Sequence, residues 1–118
     1  MGDDVSTAEK RAAAIRKAVR GIKRGGFLSY GEVARRAGLP GRARLVGQVL
    51  RESGDSPKLP WHRVTAAGGR IAFPAGSASA RRQLQRLARE GVETRGNRAI
   101  VKRTSAGARS LDALLWKL

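Results

Sequence analysis

"SYGEVARRAGLPGRARLVGQVLR", residues 29–51, decides how the chain folds. Ser29 and Glu32 form a capping pattern, in which a hydroxyl and a carboxylate satisfy the exposed amides of a helix's first turn. The short helix they open runs through Val33, Ala34 and Ala37, and "GLPG" at 38–41 stops it. A second helix is predicted from about Arg42 to Arg51, burying Leu45 or Val46 together with Val49 and Leu50. Gly47 lets a neighbour approach that helix closely, and Arg42, Arg44 and Arg51 give it charge. Two short helices about a tight Gly/Pro turn describe a helix-turn-helix.

Upstream, Ser6, Thr7, Ala8 and Glu9 repeat the capping pattern and start a helix whose face is Ile15, Val19 and Ile22. "RGG" at 24–26 is expected to end it. Downstream, "HRVTAAGGRIAF" at 62–73 holds two β-favouring pieces about Ala67–Gly69, read as a small hairpin or wing. A helix from about Ser79 to Glu90 uses Leu84 and Leu87 and is capped by Gly91. A second extended pair is linked through Gly96 and Asn97, and "LDALLWKL" at 111–118 has enough apolar residues to dock on the body. The expected fold is mainly α with a small β hairpin: a winged helix-turn-helix, single domain over 1–118, with residues 1–6 as a flexible lead-in.

Charge narrows the partners. Twenty-five Lys and Arg stand against nine Asp and Glu, a net +16. Such an excess points to a polyanion, since each neutralised phosphate releases counterions from nucleic acid. A membrane-surface binder would want bulky apolar anchors on its helix, and the Ala-rich first helix has few. With no cysteine there is neither a disulfide nor a thiolate nucleophile, and one histidine with scattered carboxylates makes a metal site a poor expectation. No cofactor is implied. The acidic start "MGDDVSTAEK" lacks the apolar core of a signal peptide, and no apolar run approaches membrane-spanning length; the expected location is the cytosol or the nucleoid.

The single histidine lies in "LPWHRV", residues 59–64. Taken with residues 29–51, this motif resembles the DNA-binding half of the O6-alkylguanine-DNA alkyltransferases, which carry Pro-Cys-His-Arg where this chain has Pro60, Trp61, His62 and Arg63. Tryptophan at that position marks the alkyltransferase-like proteins, which bind alkylated guanine without removing the alkyl group. The likeness extends over residues 8–118, including "EGVE" at 90–93 and Trp116.

The resemblance implies a role for each matching position. Tyr30 presses on the phosphate 3′ of the target nucleotide and turns it outward; Arg44 enters through the minor groove and fills the vacated stack. Ala43 and Gly47 are small where the recognition helix meets the backbone, and Gly31, Arg42 and Ala67 match further backbone contacts. The alkylguanine pocket is implied to comprise Tyr30, Trp61, Val64 and a lid over 71–76 containing Pro74 and Ala75. Pro74 stands where some relatives carry a basic side chain, and Ala75 replaces a serine, so discrimination is either weaker or falls to Arg70 or to backbone groups. His62, Arg63, Glu90 and Ser53 match a catalytic relay and its loop; without a thiol they are expected to be structural. No catalytic residue is implied. The implied partners are double-stranded DNA containing O6-alkylguanine and the damage-sensing proteins of nucleotide excision repair, with the protein acting as a monomer.

Plainer readings stand beside these. Trp61 suits a core, Tyr30 suits packing at a helix start, and Arg44 suits a solvated face. A winged-helix regulator of undamaged sequence, or a nucleoid binder using charge alone, would share the same helices and the same basic balance.

Overall fold

A computed structural model describes residues 7–54 and 58–101. Helix α1 spans Ala8–Arg20, and its cap is Thr7, whose Oγ1 accepts from the Lys10 amide at 3.1 Å. Ser6 lies outside the described residues, so the expected box is replaced here by a one-way cap: Lys10, three residues on from Thr7, has no carboxylate to reach back. The helix stops at Gly21, earlier than "RGG", yet Ile22 still packs in the core.

Strand β1, Leu28–Ser29, leads directly into helix α2, Tyr30–Arg36. Here the capping box is complete: Ser29 Oγ accepts from the Glu32 amide at 3.2 Å, and Glu32 Oε1 accepts from the Ser29 amide at 2.8 Å. The turn after α2 closes through the Leu39 amide on the Ala34 carbonyl, with Gly38 and Gly41 at φ +81° and +82°. Helix α3, Ala43–Ser53, follows and buries Val46 and Val49, with Leu45 and Leu50 half-covered. Their neighbours are Ile15, Val19, Ile22, Val33 and Leu39, so the helix-turn-helix and α1 share one core cluster.

The second half forms differently from its sequence expectation. Val64–Thr65, strand β2, pairs in parallel with β1 rather than with a partner across Ala67–Gly69. Ala67–Gly69 is a helical turn with Gly68 and Gly69 at φ +71° and +84°, and Arg70 bridges to Arg98. The reason is steric. Gly69 presses on the Ala99 backbone so closely that a Cβ would collide with its carbonyl. Gly69→Ala is therefore expected to destabilise the fold by roughly 2 kcal/mol, from backbone strain at positive φ plus the collision, measurable as a lowered denaturation midpoint.

The true wing is the later pair: β3, Glu93–Thr94, antiparallel to β4, Ala99–Ile100, around Gly96. Between the two turns lies helix α4, Ala78–Arg89. Ser77, in extended conformation, caps it by accepting from the Ala80 amide, so the helix starts one residue ahead of Ser79. Gly91 at φ +87° lets the Val92 amide return to the Leu87 carbonyl at 3.0 Å. Leu87, Ile71, Ala80, Val92 and Ala99 form a second core cluster, with Phe27, Phe73 and Leu84 packed against it. "LDALLWKL" and Trp116 lie outside the described residues. Among the described residues, no helix is long and apolar enough to cross a membrane.

Candidate functional site

Trp61 begins a helical turn, Trp61–Arg63, immediately after Pro60; the Arg63 amide returns to the Pro60 carbonyl at 3.0 Å. Two residues anchor this turn from a distance. Gln83 of α4, fully buried, donates to the carbonyls of His62 at 3.0 Å and Val64 at 2.8 Å. Glu90, just past the end of α4, takes a forked pair from Arg63, Nε to Oε1 at 2.9 Å and a terminal nitrogen to Oε2 at 2.8 Å. Arg63's other terminal nitrogen donates to the Ile22 carbonyl at 2.7 Å, which ties the turn to the end of α1.

His62 Nε2 sits 2.8 Å from Glu90 Oε2. Burial alone would raise the Glu90 pKa, but hydrogen bonds and charge from Arg63 and His62 outweigh it and lower the value to about 2. An ionised carboxylate only accepts, so Nε2 is the donor. The buried Nδ1 finds no partner among the described residues.

The Trp61 ring is held on several sides. Phe73 and His62 meet it edge-on, each with centroids 6.2 Å away, and the Arg86 guanidinium lies 5.4 Å from its centroid. This indole forms part of the wall of a cavity of about 480 Å³, together with Tyr30, Leu50, Ala72 and Phe73. Arg51 and Arg82, both exposed, complete its charged side. Burial raises the Tyr30 pKa while the charge of Arg51 opposes the shift, so the phenol keeps its proton at neutral pH.

A second hollow, of about 550 Å³, shares Tyr30, Gly47, Arg51 and Ala72 with the first and adds Ala43, Arg44 and Gln48. The first turns of α3 thus front a groove that continues into the Trp61 cavity.

The remaining candidates are distributed more widely. Arg42 is exposed at the start of α3, and Gly31 is half-buried in α2, outside both hollows. Ala67 faces a separate groove beside Arg98. Val64 is not in the cavity wall: its side chain is in the first core cluster and its carbonyl accepts from Gln83. Pro74 and Ala75 are exposed and stand beyond the wall, to which that segment contributes Ala72 and Phe73. Arg70 is exposed and bridged to Arg98. Ser53 Oγ donates to the Val49 carbonyl at 2.7 Å, a bond within its own helix rather than across a loop.

Sequence reasoning gave no individual site role to Leu50, Phe73, Gln83, Arg82, Arg86 or Asn97, reading Leu50 as core, Arg82 and Arg86 as phosphate-facing or solvated and Asn97 as part of a turn. Phe73 alone carried a signal, as one of two phenylalanines in the chain and placed in a Pro/Gly-rich segment. Chemically the cavity offers aromatic faces, a neutral phenol and two cations. The position after Pro60 presents an indole, which has no nucleophilic heteroatom, and no cluster of metal-ligating side chains occurs among the described residues.

Residues 10–92 match the family model for the DNA-binding domain of 6-O-methylguanine DNA methyltransferase. The chain is 38% identical to alkyltransferase-like protein 1 of Schizosaccharomyces pombe over 98 residues, 81% of this chain and 84% of that one. It is 42% identical to a DNA base-flipping protein of Vibrio parahaemolyticus over 72 residues, 61% of this chain and 70% of the relative. The crystal structure of the S. pombe protein in complex with damaged DNA containing O6-carboxymethylguanine superposes with a TM-score of 0.71 at 35% identity, over 79% of this chain and 90% of that one. With the fold, the motif order and these likenesses in agreement, the chain belongs to the alkyltransferase-like proteins, within the family of the 6-O-methylguanine DNA methyltransferase DNA-binding domain.

Proposed function

We propose that this protein recognises O6-alkylguanine in duplex DNA by turning the nucleotide out of the stack and holding it against Trp61, without transferring the alkyl group. The observation that carries the reading is the continuity of the two hollows. Arg44 and Ala43 front the groove on α3, Tyr30 stands at the junction, and Trp61 lines the cavity behind it. A base inside a duplex cannot offer its O6 substituent to such a cavity, so extrusion comes first and costs a few kcal/mol of unstacking. Arg44 entering the vacated position offsets part of that cost, and a damaged pair opens more readily than a sound one.

A volume of about 480 Å³ lies in the range of small-ligand sites and suits a purine with an added alkyl group. The chain has no cysteine to accept that group. The S. pombe relative was crystallised on damaged DNA, which supports carrying lesion binding to this chain. Gly31, Arg42, Ala43, Gly47 and Ala67 are proposed to follow the sugar-phosphate backbone, and the output is a long-lived complex that marks the site for nucleotide excision repair.

Matched duplexes containing guanine or O6-methylguanine test this. At physiological salt the modified duplex should bind at least about tenfold more tightly, a gap of roughly 1.4 kcal/mol. Arg44→Ala should remove most of that preference while lowering affinity for the unmodified duplex only as one phosphate contact would. Equal affinity of the unaltered protein for both duplexes would overturn the proposal and favour a regulator or a charge-only binder. An alkyl adduct found on the protein by mass spectrometry would overturn its non-enzymatic part.

A further inference from the structure

We infer that the β3–β4 hairpin fixes the outer wall of the Trp61 cavity, and that Asn97 is the positioning residue that holds Phe73 in place against the indole. The inference rests on the lesion-binding reading for its functional consequence and on geometry alone for the latch itself.

Residues 71–76 have no regular secondary structure, yet Ala72 and Phe73 line the cavity and Phe73 meets the Trp61 ring edge-on. Such a segment needs its backbone groups tied elsewhere to keep one shape. Asn97 supplies the ties. Its Nδ2 donates to the Phe73 carbonyl at 2.9 Å and to the Ile71 carbonyl at 3.3 Å, and its own carbonyl accepts from the Ile71 amide at 2.8 Å. Both side-chain partners are carbonyls, so the amide can be oriented in only one way, with its two hydrogens toward the segment.

The residues after Asn97 extend the grip. An Arg98 terminal nitrogen donates to the Gly68 carbonyl at 3.0 Å, and the Ala99 backbone is what Gly69 packs on. Gly96, at φ +60°, turns the hairpin so that Asn97 follows immediately, and the Arg95 amide closes the turn on the Arg98 carbonyl at 2.9 Å. Three consecutive residues of the wing thus hold both ends of the stretch from Gly68 to Phe73. The wing acts on the cavity through its wall.

Two variants separate the parts of this claim. Asn97→Asp keeps the shape, removes both donors and turns a carboxylate toward two carbonyls; Asn97→Leu removes the donors without adding charge. In both, the preference for the O6-methylguanine duplex over the guanine duplex should fall about tenfold, the scale of two lost hydrogen bonds. In Asn97→Leu the affinity for the unmodified duplex should stay as it was. In a Trp116→Phe background, acrylamide quenching of Trp61 fluorescence should rise in both variants, which a general loss of DNA affinity would not produce.

Full preference retained in Asn97→Leu would overturn the inference. If the unaltered protein shows no lesion preference, the proposed function fails, and the latch is then judged by quenching: unchanged quenching in both variants overturns it separately. Should either variant melt at working temperature, amide exchange in the unaltered protein decides. The Ile71 amide should be protected to the level of the hairpin amides, and exchange at the unfolded rate would overturn the latch.

Discussion

Arg63→Ala should destabilise the protein by about 3 kcal/mol, on the order of 12 °C in melting temperature for a domain of this size. Arg63 links three elements through one guanidinium: its own turn, the Ile22 carbonyl at the end of α1, and both oxygens of Glu90 beyond α4. Its removal strips Glu90, only 8% exposed in the intact fold, of its forked partner. The loss is large because a buried charge left half-paired is worse than no pair at all. Lysine should restore little, since a single ammonium cannot make the fork and reach Ile22 together.

The same group sets the acid limit. The Glu90 pKa, about 2 when folded against an ordinary 4.5, means the unfolded chain takes up the proton first as the solution is acidified. Its contribution to stability is whole above about pH 4.5 and is lost progressively as pH falls toward 2. In Arg63→Ala, with the main cause of the depression gone, thermal melts should depend less steeply on pH across that window. An unchanged slope would show that Arg63 does not hold the carboxylate down.

Trp61→Ala should weaken binding of the O6-methylguanine duplex by about 10- to 100-fold, the scale of losing one base–aromatic stacking surface. Affinity for undamaged duplex should scarcely move, because no charge is removed and the salt dependence set by phosphate contacts is untouched. Trp61→Phe should lie between, keeping a face but losing area. An equal drop on both duplexes would instead assign Trp61 to packing alone, consistent with its edge contacts to Phe73 and His62.

The helix-turn-helix was legible because its information is local. The Ser29–Glu32 box, the glycines at 38 and 41 and the spacing of Val46 and Val49 each fix a feature within a few residues. The wing was misplaced because Gly68-Gly69 reads as a hairpin loop, whereas Gly69 serves a close approach to Ala99, thirty residues away, and Gly68 lies against the Arg98 side chain. Distance in sequence also hid the supports of the site. Nothing near Gln83 signals that its amide holds the turn of His62, and nothing near Asn97 signals the carbonyls of Ile71 and Phe73. The cavity wall shifted for a related reason. Once Asn97 pins that segment, Ala72 and Phe73 form the wall and Pro74 and Ala75 are left outside.

The two core clusters lie on either side of the Trp61 turn: α1, α2 and α3 on one side, α4 and the hairpin on the other. Tyr30 and Arg44 are rooted in the first, Phe73 and Arg86 in or against the second, and the turn between them is tied to α4 by the polar bonds of Gln83 and Glu90. Arg63 also ties that turn to Ile22 of the first cluster, so one cavity draws its wall from both. On the proposed reading, substitutions on α4 or at residues 72–73 resize the chamber for a different adduct from the second cluster alone, while Tyr30 and Arg44 keep their footing in the first.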